Sequence, residues 1–162
     1  MMLSRRFFLL LSIAFWQGGF MFYGGVVVPT GAAVLGSEVE QGFITQSVTN
    51  SLNLAGGVCV VLWGITIWLD ARPPLVRRIC WAMWFAITAA LGLLIGLHVQ
   101  MDGLLNVVDR TVLDESRFRG LHQAYLTIIS LQWVICLLLL LMTLQAWRTI
   151  DAAQVRPTPS QT

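Results

Sequence analysis

The chain has 162 residues and a mass of 18.0 kDa; 57% of its residues are hydrophobic, 11% are charged and its mean hydropathy is +0.75, where a soluble domain carries about 25% charge. That balance excludes an ordinary water-soluble globule. Ten arginines, eight acids and two histidines leave a net charge of +2, too small and too scattered for nucleic-acid binding.

Four apolar stretches of about 18 to 27 residues take up more than half the chain and predict an all-α fold, an integral membrane four-helix bundle over residues 1–151. The first span covers Phe7 to Val28 and is expected to end at Pro29. At 1.5 Å per residue such a stretch crosses a hydrocarbon core of about 30 Å. Its start, Ser4-Arg5-Arg6-Phe7-Phe8-Leu9, resembles a twin-arginine export signal. The apolar run continues through Val28 with no small-x-small cleavage site in its early part, which predicts an uncleaved helix. The second span runs from Leu52 to Leu69, and the capping-box pattern Ser37-Glu38-Val39-Glu40 predicts that its helix begins near Glu38. The third covers Ile79 to Val99 and the fourth Leu121 to Trp147. Asp114 and Glu115 suit the positive end of a helix, so the fourth helix is expected to begin near Asp114, with Glu115 and Arg119, and Asp114 and Arg117, as solvated pairs. Residues 152–162, broken by Pro157 and Pro159, are expected to form a disordered cytoplasmic tail.

The arginines set the orientation. Arg5, Arg6, Arg72, Arg77, Arg78, Arg148 and Arg156 fall on one side of the spans, and Arg110, Arg117 and Arg119 on the other. Juxtamembrane cations are retained in the cytoplasm, so both termini are predicted to be cytoplasmic in a multi-pass protein of the cell (cytoplasmic) membrane. Glu38, Glu40, Asp102, Asp109, Asp114 and Glu115 lie on the outer side. Trp68, Trp81 and Trp147 sit at inner span ends, where an interfacial aromatic belt belongs.

Lipid gives no hydrophobic reward for helix association, so interior faces are sought among small and polar residues. This rule selects Ala14, Gln17, Gly18, Gly24 and Gly25 on the first helix, and Gln46, Asn50, Asn53 and Gly57 on the second. It selects Ala82, Ala89, Gly96 and Gln100 on the third, and His122, Tyr125, Ile129, Gln132 and Cys136 on the fourth. A polar pocket in the outer half is then expected from Asn50, Asn53, Gln100, His122, Tyr125 and Gln132. His98 falls opposite the Ala82/Ala89/Gly96 stripe, with Cys80, Ile87, Leu91 and Leu94, and is expected on a lipid-facing strip. His122 is the better candidate for a cofactor ligand and His98 the weaker. Cys59, Cys80 and Cys136 lie within apolar runs with no CxxC pair, which predicts small hydrophobes rather than a disulfide or metal site.

Two motifs carry a resemblance. Trp16-Gln17-Gly18-Gly19, Phe22 and Val27-Val28-Pro29 resemble the W-x-G-G…F…V-x-P first helix of four-span membrane domains of unknown function, and Phe118-Arg119-Gly120-Leu121-His122 resembles their F-x-x-L-H entry to the last helix. That group is distantly similar to the copper-resistance D membrane proteins and to a vertebrate transmembrane protein associated with platinum-drug resistance. The resemblance implies the four-span fold, makes His122 the motif histidine and makes the first-helix glycines packing positions. Copper handling favours clustered thioether and imidazole ligands, whereas this chain offers Met21, Met101, His98 and His122 towards the outer side.

The expectation is a non-enzymatic membrane protein that engages the lipid bilayer, with a second copy or a membrane protein as partner, in interaction or small-solute handling without a cofactor. Triad, phosphate-loop and metal-hydrolase patterns are absent from the sequence. The alternatives are a haem- or copper-binding redox protein that uses His122, and a homo-oligomeric channel or carrier.

Overall fold

A computed structural model describes residues 2–106, 109 and 111–155. The order is α1 (Met2–Phe22), a π-helical turn (Tyr23–Val27), α2 (Val28–Leu35), α3 (Glu38–Leu69), α4 (Pro74–Asp102), a short hairpin of β1 (Leu105–Asn106) and β2 (Thr111–Val112), and α5 (Glu115–Val155). Leu105 pairs with Val112 and Asn106 with Thr111 in antiparallel register. Four segments, Met2–Leu35, Glu40–Leu69, Pro74–Asp102 and Glu115–Gln154, are each long and apolar enough to cross a membrane. Connections this short make successive helices antiparallel neighbours, so α1–α2 packs on α3, α3 on α4 and α4 on α5.

The helix ends follow local chemistry. Gly36 ends α2 in the left-handed region at φ 66°, where its N–H bonds to the Ala32 carbonyl at 3.0 Å. Ser37 Oγ then accepts the Glu40 N–H at 3.3 Å and starts α3 at the predicted place. Asp114 Oδ1 accepts the Arg117 N–H at 2.9 Å at the start of α5. It acts on the backbone rather than on the Arg117 guanidinium, so the expected Asp114–Arg117 side-chain pair is replaced by a cap.

Pro29 does not end the first span, which continues to Leu35. Proline lacks an amide hydrogen and its ring crowds the carbonyl four residues back. Here the preceding turn widens, and the Val28 N–H reaches back to the Tyr23 carbonyl in the π pattern. Tyr23 anchors this turn to α3, because its hydroxyl donates to Thr45 Oγ1 at 3.2 Å and accepts from Gln41 Nε2 at 3.3 Å. At the other end, residues 152–155 belong to α5 rather than to a tail; 156–162, which carry Arg156 and the expected disorder, lie outside the described residues, as does Arg110.

The main core joins Leu9, Ile13 and Trp16 of α1 to Cys59, Val60, Trp63 and Ile67 of α3, with Ile87 and Leu91 of α4 and Cys136 and Leu139 of α5. A smaller cluster of Leu94, Met101 and Tyr125 lies between α4 and α5, towards the C-terminal end of α4. Indoles do much of the interior filling. Trp16 lies so close to Gly56 that a Cβ there would meet its ring at 2.6 Å, and Trp84 lies against Gly64 at 3.2 Å. Trp84 Nε1 donates to the Val60 carbonyl at 2.8 Å, and Trp63 Nε1 to Thr143 Oγ1 at 3.1 Å.

This packing reverses the expected faces of α4. Cys80, Ile87, Leu91, Leu94, His98 and Met101 are buried, whereas Ala82, Ala89, Gly96 and Gln100 are exposed. Because α3 supplies a notch at Gly64 for Trp84, α4 can pack closely through large side chains and needs no small stripe of its own. On α1, Gln17 is buried as expected, but Ala14, Gly18, Gly24 and Gly25 are exposed, and the close contact is made by Gly19 against Leu52.

Candidate functional site

The six residues expected to share a polar pocket separate. Asn50, Gln100 and His122 are exposed, whereas Asn53, Tyr125 and Gln132 are buried. Gln132 Nε2 donates to the Ile87 carbonyl at 3.0 Å and so joins α5 to α4. Tyr125 sits among apolar side chains, with its hydroxyl unpartnered among the described residues. Asn53 and Asn50 line a groove of about 670 Å³ with Leu54, Gly57, Val58, Val61, Leu62, Leu91 and Ile95. A second groove of about 410 Å³ lies between the π turn, α2 and α3, lined by residues that include Val26, Val34, Gln41 and Ile44. Both open on the outside of the bundle.

The histidines exchange roles. His122, expected on the buried seam, is exposed and stacks on Phe118 with ring centroids 6.3 Å apart. His98, expected to face lipid, is buried with its Nε2 3.5 Å from Asp102 Oδ2 one turn on. Among the described residues no three His, Cys, Asp or Glu side chains are grouped to hold a metal ion. Cys59, Cys80 and Cys136 are buried free thiols.

The densest polar construction is at the arginine-bearing end and centres on Asp70, which closes α3. Its carboxylate accepts from Arg5 of α1, from Arg72 Nη2 at 3.2 Å and from Trp147 Nε1 of α5 at 2.9 Å. Its backbone carbonyl accepts from Arg77 Nη2 of α4 at 3.3 Å. One residue thus ties four helices together. A carboxylate at a helix C-terminus faces the negative end of the dipole, and the arginines more than offset that repulsion. The side chain of Arg72 is fully buried, with Nη1 3.0 Å from Cys80 Sγ.

A second pair lies beside it. Arg6 donates from both terminal nitrogens to Asp151 at 2.8 and 2.9 Å, and its guanidinium stands 5.1 Å from the centre of the Trp147 ring. Trp147, expected in the interfacial belt, is instead buried between these two carboxylate clusters, while Trp68 is 73% exposed. Asp70, Arg72 and Asp151 carry no sequence motif. The available signal is that Asp70 and Asp151 are the two acids on the arginine side of the spans. Chemically this end can hold helices together and present excess positive charge. Comparison of the chain with protein-family models, curated proteins and solved structures gives no match.

Proposed function

We propose that the protein is a non-enzymatic, multi-pass protein of the cell membrane, with both termini cytoplasmic, that serves as an interaction bundle. The observation that carries this reading is the filled interior. Trp16, Trp63, Leu9, Ile67, Ile87, Leu94 and Leu139 are fully buried across all four helices, so the space between helices is occupied by side chains rather than by a solute path. The two grooves open outwards instead. A surface of that kind suits helix association in lipid, where shape and interhelical amides replace the hydrophobic drive. Carriage of a small solute would need a polar route, and the three buried members of the expected pocket, Asn53, Tyr125 and Gln132, are packed at positions that do not open one.

Reconstituted liposomes test this directly. The expected result is ion and small-solute flux no greater than that of protein-free vesicles, together with cross-linking of a Val58→Cys variant to a neighbouring membrane protein or second copy. Protein-dependent flux with no cross-linked product would instead establish a channel or carrier.

A further inference from the structure

We infer that the α3–α4 turn is a docking site for an anionic phospholipid headgroup, with Arg77 and Arg78 as its phosphate contacts. The inference rests on the membrane reading above and goes beyond it by naming a ligand class and the residues that take it.

Charge supplies the first argument. Between residues 70 and 78 the chain places Arg72, Arg77 and Arg78 against the single carboxylate of Asp70, and Arg5 comes to the same carboxylate from α1. Asp70 is fully engaged by Arg5, Arg72 and Trp147, so it has nothing left for the outer two arginines. Arg77 is exposed and spends one nitrogen on the Asp70 carbonyl. Arg78 is exposed and makes no hydrogen bond or ion pair among the described residues. The first turn of α4 contains no acid, so the positive end of its dipole adds to the excess.

Depth supplies the second argument. Trp68 is exposed just before the turn, and Trp81 is half-buried one helical turn beyond Arg77 and Arg78. Indoles concentrate at headgroup level. Leu69 and Leu75 are exposed beside them, apolar surface suited to the acyl boundary. Two exposed guanidinium groups at that depth, one of them unpartnered and the other engaged through a single nitrogen, are complementary to a phosphate that carries net negative charge. A zwitterionic headgroup would leave the excess uncompensated.

Native mass spectrometry of the full chain in mild detergent, offered phosphatidylglycerol and phosphatidylcholine of identical acyl chains, tests the assignment. The wild-type chain is expected to retain phosphatidylglycerol preferentially. Each arginine near a charged surface contributes about fivefold, so R77Q/R78Q should lower the preference by about 25-fold. R77K/R78K should keep most of it, and R117Q/R119Q at the opposite end should leave it unchanged. Equal retention of the two lipids by the wild type, or a preference that survives R77Q/R78Q, would overturn the inference. Displacement of the lipid by inorganic phosphate would assign the site to a soluble anion and equally overturn it. A chain that is monodisperse before any amphiphile is added would defeat the membrane reading itself, a result separate from the lipid comparison.

Discussion

Replacement of Asp70 by asparagine will lower the unfolding midpoint of the detergent-solubilised protein by roughly 10 °C. The reason is the asymmetry of buried charge: removal of one partner leaves the others in a poor dielectric without compensation, at about 3 to 5 kcal/mol. In a chain of this size each kcal/mol moves the midpoint by about 2 to 4 °C. Asparagine keeps the shape and can still accept from Trp147, but the buried guanidinium of Arg72 and that of Arg5 lose their counter-charge. Asp151→Asn provides the contrast, because Asp151 is largely exposed and its pair with Arg6 is open to solvent. That variant is expected to shift the midpoint far less. Equal midpoints for wild type and Asp70→Asn, measured by thermal unfolding followed through tryptophan fluorescence, would show that the Asp70 cluster does not hold the bundle together.

Gly56→Ala is the second large effect. The added methyl group would lie 2.6 Å from Cε2 and Nε1 of Trp16, closer than any settled carbon contact. Trp16 is fully buried and cannot swing away, so α1 and α3 must separate or the indole must leave its rotamer, at about 1 to 3 kcal/mol. The midpoint should fall by about 5 °C. Gly57→Ala, one residue along, meets no atom within 4 Å and should leave it unchanged. Gly56→Ala combined with Trp16→Phe should recover part of the loss, since the smaller ring vacates the space that the methyl group needs. Identical midpoints for Gly56→Ala and Gly57→Ala would mean that Trp16 does not occupy that notch.

The number and rough position of the helices were legible because span length and capping are local properties. Ser37 and Asp114 each act on an amide three residues away, and the sequence places both starts correctly. The far limit of the first span was not legible, because whether a proline ends a helix depends on whether the preceding turn can widen. The interior face of α4 is not legible for a different reason. Its two stripes are both apolar, and the rule that small residues face inwards holds only when no neighbouring helix supplies the clearance. Gly64 of α3 supplies it for Trp84 of α4, as Gly56 does for Trp16 of α1. The Asp70 cluster depends on contacts 65 and 77 residues apart in the chain. No spacing rule reaches that far. The one local signal is that Asp70 and Asp151 are the two acids on the side of the spans that holds most arginines, which does not say what they contact.

The orientation is tested by one labelling experiment on intact cells. In a chain whose three native cysteines are replaced by alanine, single cysteines at Ser37 and Ser160 are exposed in turn to a thiol reagent that does not cross membranes. Four crossings with cytoplasmic ends predict immediate labelling at Ser37 and labelling at Ser160 only after permeabilisation. Equal labelling of the two positions in intact cells would contradict the account.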